Sequence, residues 1–223
     1  MTTLDASWSA RLRVVGDLER GDHYYLNGDD TCAYFGTYTS RAGFSHSYTN
    51  QIISNLKKSP SVRNTAQWQY KQRAISQVGA AIARNLNADS WQKTIFVPIP
   101  PSKRRDSPDY DDRMLRVAQE MGNNADIREL LYTAVEREAR HTNTDRRDQD
   151  ALRASLAVDT RFAANPKAQV VLLDDVLTTG CSFRVCREMI AEIWPNASIF
   201  GIFVARRVPP NPFADLELEL SDH

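Results

Sequence analysis

The clearest hydrophobic pattern in the chain is QVVLLDD, residues 169–175, where four consecutive aliphatic residues run into two acids. A short unbroken apolar run bounded by polar residues predicts a strand buried on both faces, as in a parallel sheet. ASIFGIFVARR, residues 197–207, repeats the pattern. Between the two runs, helical spacing predicts a helix from Ser182 to Trp194, ended by Pro195. KTIFVPIPP, residues 93–101, predicts a short strand entering a proline-fixed loop, and residues 111–122 a helix starting near Asp109. Trp68, Ile75, Val78, Ala81, Ile82 and Leu86 share one face of a helix over about 62–87, closed by Asn87-Ala88-Asp89-Ser90. SHSYTNQIISNLKK, residues 45–58, places Ile52, Ile53 and Leu56 at helical spacing, with Ser/Thr caps in front and Pro60 behind.

The rest of the chain is less regular. Residues 1–40 are turn-rich, and NGDD at 27–30 reads as a hairpin-type turn between strands near 24–26 and 32–38. Residues 41–43 make another turn. ELLYTAV (129–135) and SLAVD (155–159) predict two further strands. The intervening EREARHTNTDRRDQDALRA, residues 136–154, has no apolar face and reads as a mobile surface loop merging into a short helix. The tail LELEL, 216–220, alternates as an exposed edge strand or a partner surface would. Strand–helix alternation through the second half predicts an α/β architecture with a mostly parallel sheet flanked by helices. Three segments follow: a β-rich elaboration over 1–45, a core over 46–208 and a tail over 209–223.

Composition narrows the function. The 223 residues carry 28 Lys+Arg against 28 Asp+Glu, a formal net charge of zero, so no global field draws the chain to nucleic acid or membrane. No apolar run approaches a membrane span, and the N-terminus lacks the apolar stretch of a secretory signal. The cytoplasm is the expected location. Cys32, Cys181 and Cys186 show no metal-ligand spacing and read as reduced thiols.

The chemistry concentrates at VVLLDDVLTTGCSF, residues 170–183. A buried parallel strand delivers Asp174 and Asp175 to the carboxyl edge of the sheet, where ligands of open α/β sheets bind. Thr178, Thr179, Gly180, Cys181 and Ser182 then turn into a helix N-terminus, whose N–H groups, dipole and hydroxyls suit a phosphomonoester. Two carboxylates beside it suit the hydroxyls of a sugar ring and can help hold Mg²⁺. A bare DD or TTG would be read as a capping cluster and a tight turn; the full order of strand, acids, loop and helix favours the ligand site.

VVLLDDVLTTGCS resembles the thirteen-residue PRPP motif of type I phosphoribosyltransferases. FVPIPPSKRR with the helix DRMLRVAQ, the segment REARHTNTDRRDQDALRASLAV, the strand FVARR and the stretch from Cys32 to Lys58 resemble the ComF-like, amidophosphoribosyltransferase-like subgroup. The resemblance spans roughly residues 32 to 208. It implies a type I phosphoribosyltransferase fold with a small N-terminal hood-like elaboration. It implies that Asp174 and Asp175 contact the ribose and Mg²⁺ as catalytic residues, and that Thr178–Ser182 bind the 5′-phosphate. Pro100, Lys103, Arg104 and Arg105 become the pyrophosphate loop, and Arg140, Arg146 and Arg147 a lid. The implied activity is displacement of pyrophosphate from PRPP by an acceptor. The alternative is a non-catalytic PRPP- or nucleotide-binding regulator, or an accessory of DNA uptake. The implied partners are a phosphoribosyl ligand, a nucleic acid or partner protein, or a second copy in a homodimer, and no membrane. The cysteine pairs of the ComF zinc ribbon are missing, and Thr178 stands where purine-salvage members carry an acid.

Several readings stay double on the residues alone. SKRR (102–105) is a phosphate grip or a solvated basic turn. Asp106, Asp109, Asp111 and Asp112 are a metal cluster or the acidic start of a helix. Residues 136–154 are a lid or a solvated connection, and Lys57 and Lys58 reach a ligand or complement a helix dipole.

Overall fold

The computed structural model describes residues 7–136 and 145–209. Its elements in chain order are β1 (Trp8–Val14), α1 (Asp17–Arg20), β2 (Thr31–Thr39), α2 (Tyr48–Leu56), α3 (Trp68–Arg84), α4 (Ala88–Lys93), β3 (Thr94–Pro98), α5 (Arg113–Gln119), β4 (Asp126–Ile127), β5 (Leu131–Thr133), α6 (Asp145–Ser155), β6 (Leu156–Val158), β7 (Gln169–Leu177), α7 (Cys181–Ile193) and β8 (Ser198–Val208). Six strands form one sheet in the order β1-β2-β8-β7-β3-β4; only the β1–β2 pairing is antiparallel. β5 and β6 form a separate antiparallel pair. The protein is thus an α/β fold with a mostly parallel sheet flanked by helices.

The unbroken apolar run of β7 follows from its position inside that sheet. Successive side chains of a strand point to opposite faces. Val170 and Leu172 enter the core under α7, with Phe183, Cys186 and Ile190. Val171 and Leu173 enter the opposite core, formed by α2, α3 and α5 through Ile53, Leu56, Ile75, Val78 and Val117. With both faces covered, the run from Val170 to Leu173 is aliphatic throughout, and each fully buried aliphatic side chain contributes about 1.5–3 kcal/mol. Gly79 lets α3 approach α5 closely: a Cβ there would lie 2.5 Å from Glu120 Cβ and 2.7 Å from the Val117 carbonyl oxygen.

Helix α2 lies where its spacing predicts, and Ser47 Oγ caps it by accepting from Asn50 N at 3.1 Å. Helix α3 starts at Trp68, later than the spacing predicts, because Pro60–Val62 form a separate 3₁₀ turn capped by Ser59. Asn87-Ala88-Asp89-Ser90 does more than close α3: Asn87 Oδ1 accepts from Ser90 N and opens α4. Helix α5 begins at Arg113, four residues after Asp109. The strands predicted near 129–135 and 155–159 are β5 and β6, paired with each other.

The N-terminal expectation needs correction. No strand occupies 24–26, and NGDD is not the tip of a hairpin. The antiparallel partner of β2 is β1, and α1 with a 3₁₀ turn at Gly21–His23 separates the two. The edge strand β1 is only half covered and has a register shift between Trp8 and Arg13, so its burial does not follow the apolar–polar alternation of WSARLRV. Residues 8–14 and 31–39 contribute two strands to the main sheet. Among the described residues no helix is long and apolar enough to cross a membrane. The tail at 216–220 lies outside the described residues.

Candidate functional site

The site forms where two parallel neighbours part. β3 pairs with β7 only as far as Pro98 opposite Leu173, and Ile99 N donates to Leu173 O at 2.9 Å as the last link. Pro100-Pro101 then carries the chain away. On the other side β8 follows β7 to Leu177 opposite Arg206, so β7 stays extended through both acids and beyond. The acids therefore lie within the strand and not at its end, as the sequence had suggested. A cleft of about 280 Å³ opens beside them, over the space β3 has left.

The two acids have different environments. Asp175 is buried. Its Oδ2 accepts from Arg113 Nε at 2.7 Å and lies 2.6 Å from a second guanidinium nitrogen, while Lys57 Nζ stands 3.3 Å from Oδ1. Desolvation alone would raise its pKa, but Arg113 and Lys57 outweigh it and hold the group below the ordinary value. Asp174 is partly open to the cleft and has no cation in ion-pair distance among the described residues; one oxygen accepts from Asp175 N at 2.8 Å. Desolvation, then the neighbouring Asp175 charge, pushes its pKa up to about 7. Asp175 is thus a fixed, compensated anion, and Asp174 is a carboxylate without an ion pair of its own, acted on by Arg113 and Lys57 only across Asp175.

Thr178 and Ser182 face the same cleft. The turn between them depends on Gly180, in the left-handed region at φ 87°, directly before α7. The first N–H groups of a helix have no partner within the helix and can serve an anion. The carbonyls point away from the cleft and are held from behind: His23 Nδ1 bonds the Thr178 carbonyl, and Tyr25 N donates to the Thr179 carbonyl at 3.0 Å. His23 is fully buried, and desolvation lowers its pKa, so the neutral ring is the donor. Cys181 sits at the helix start, half-buried.

The basic loop divides. Pro100 and Arg105 line the cleft; Lys103 and Arg104 do not. All three cations already have carboxylate partners. Lys103 pairs with Glu136 at 3.2 Å, Arg104 with Asp106 at 2.7 Å, and Arg105 with Glu129 and Asp159, both at 3.3 Å. Arg140 lies outside the described residues, as do the side chains of Arg146 and Arg147 on α6. Of the four aspartates after the loop, Asp111 and Asp112 line the cleft. Among the described residues no group of three or more His, Cys, Asp or Glu could hold a metal ion.

Sequence reasoning missed Arg113, Lys71 and His23 around this site; it weighed Asp111 only as part of a metal cluster or the acidic start of a helix, and it left Lys57 between two roles. Lys57 follows α2 directly and reaches Asp175. Arg113 carried a signal, a cation at the start of a helix where acids are preferred. His23 and Lys71 carried none, because only the fold brings them to residues 155 and 40 positions away. No protein-family model matches the chain, and no curated protein matches it either.

Proposed function

We propose that the chain is a Mg²⁺-dependent phosphoribosyltransferase-like protein of type I fold, ComF-like, that binds PRPP and displaces its pyrophosphate with an acceptor. The observation that carries this reading is the juxtaposition of an uncompensated carboxylate, Asp174, with a glycine-dependent turn at a helix N-terminus, on one strand and in one cleft. The turn from Thr178 to Ser182 binds the 5′-phosphate through backbone N–H groups and hydroxyls. Asp174 accepts from a ribose hydroxyl. Asp175, saturated by Arg113 and Lys57, keeps its neighbour in place and its charge fixed.

The residues present fit a single divalent cation at Asp174, whose charge is uncompensated, and do not fit Asp175 as a direct ligand. When bound, Mg²⁺ supplies positive charge to the departing pyrophosphate. The bond from ribose C1 to the pyrophosphate oxygen breaks, pyrophosphate leaves with the electron pair, and the acceptor forms the new bond and gives up its proton. The ionised carboxylate of Asp174, which has no ion pair of its own, favours the positive charge that develops on the ring. The test is pyrophosphate release in an acceptor screen. Release by wild type that is abolished in Asp174→Asn/Asp175→Asn supports the reading, and release unchanged in that folded double variant refutes it.

One observation favours a second reading, a PRPP- or nucleotide-binding protein without turnover. Lys103, Arg104 and Arg105 are all neutralised within the chain, so a leaving pyrophosphate has to displace a carboxylate to engage any of them. PRPP binding without pyrophosphate release under any acceptor would select it.

A further inference from the structure

Lys71 is fully buried in the core between α2, α3 and α5, a setting that few lysines occupy. Its ammonium has three protons, and each has an acceptor at 2.7 Å: the Leu56 carbonyl, the Lys58 carbonyl and Asp111 Oδ2. Two of these acceptors flank Lys57, the residue whose Nζ pairs with Asp175. The third, Asp111, also binds Arg113 at 2.9 Å, and Arg113 is the other cation on Asp175. The two arms that fix Asp175 therefore both begin at one ammonium.

We infer that Lys71, which lines no part of the cleft, is a positioning residue that sets the placement of Asp175 by anchoring Lys57 through the end of α2 and Arg113 through Asp111. Helix ends leave carbonyls without partners, and Lys71 satisfies two of them on either side of Lys57. This fixes the backbone from which Lys57 projects. Asp111 shared between Lys71 and Arg113 fixes the guanidinium in the plane it needs to meet the carboxylate side-on. A methionine at position 71 would fill a similar volume and leave both arms untethered. Burying an ammonium costs several kcal/mol unless every proton is met, and here all three are met by groups that hold Lys57 or Arg113.

The inference rests on the proposed function only for its ligand readout. It is tested on the full-length protein by two measurements. The first needs no ligand: the side-chain ¹⁵Nε–H resonance of Arg113, which donates to Asp175, should be protected from solvent exchange in wild type and lose that protection in Lys71→Met and in Asp111→Asn. The second is Mg²⁺·PRPP affinity, well below the melting temperature of every variant, with Val78→Ala as a control that weakens the same core one to two turns along α3. Loss of outer-shell support typically costs about 10- to 100-fold in affinity, and that loss is expected in Lys71→Met and Asp111→Asn but not in Val78→Ala. Retained Arg113 protection in both network variants overturns the inference, as does an equal loss of affinity in Val78→Ala. If Lys71→Met does not fold, Arg113 protection in Asp111→Asn, which needs no ligand and is unaffected by the place of Asp111 in the cleft lining, decides the inference. If wild type binds no PRPP, the proposed function fails, and the Arg113 resonance still decides this inference by itself.

Discussion

Replacing Asp174 by Asn should stabilise the protein at alkaline pH and do so far less under acid conditions. In the folded protein desolvation and the charge of Asp175 push the Asp174 carboxyl from an ordinary 3.8 up to about 7. A carboxyl that holds its proton more tightly when folded makes stability fall as pH rises through that window, after which the loss is constant. At ~1.4 kcal/mol per pKa unit, ionising Asp174 costs the fold about 4 kcal/mol by pH 8 and roughly 2 kcal/mol at pH 5. Water reaches one side of the group, so about half of the difference, ~1–2 kcal/mol, is the realistic gain on moving from pH 5 to pH 8. Asn keeps the volume and an oxygen to accept from Asp175 N, which bonds Asp174 Oδ1 at 2.8 Å in the native protein. For a chain of this size 1 kcal/mol moves the melting temperature by about 2–4 °C. Calorimetric melts of wild type and Asp174→Asn should therefore show a gain larger by roughly 2–8 °C at pH 8 than at pH 5. A gain independent of pH, or a loss at pH 8, would refute the claim that Asp174 is an uncompensated anion.

Two further outcomes follow from the phosphate turn. Gly180→Ala puts a Cβ at positive φ, 2.9 Å from Leu26 Cδ2 and 3.0 Å from Cγ. Left-handed strain of about 1–2 kcal/mol plus displacement of Leu26 should lower the melting temperature by roughly 2–8 °C and weaken phosphoribosyl binding; unchanged melting and binding would remove the turn from the site. Cys181 lies at the start of α7 within that turn, so saturating Mg²⁺·PRPP should slow its alkylation by iodoacetamide while Cys32 and Cys186 stay buried and unreactive. Equal labelling rates with and without ligand would count against the 5′-phosphate placement.

The sequence was informative where burial is two-sided. The aliphatic run of β7 and the FGIFVA run of β8 are continuous because each strand has a helix layer on both faces, and that continuity is visible in one dimension. The turn at Gly180 was visible for a similar reason, since left-handed backbone selects glycine. Edge strand β1 was missed although WSARLRV alternates apolar with polar residues: it is half-covered and its register slips between Trp8 and Arg13, so burial does not follow the alternation, and the turn-rich residues around it hid so short a run. The acids were legible as a pair, but not as unequal partners. The asymmetry comes from Arg113 and Lys57, which form ion pairs with Asp175 and not with Asp174, and lie 62 and 118 positions away in the chain. Lys71 was hidden for the opposite reason: it occupies an ordinary-looking polar position on α3, and its burial depends on Asp111 and on the end of α2.

The central claim is that Asp174 and the Thr178–Ser182 turn together form a phosphoribosyl site. Titration calorimetry of PRPP into wild type and Asp174→Asn/Asp175→Asn, each with and without Mg²⁺, tests it most directly. The account predicts binding by wild type that strengthens with Mg²⁺ and is lost in the folded double variant. Absence of binding by wild type, or binding of equal strength in the double variant, would contradict it.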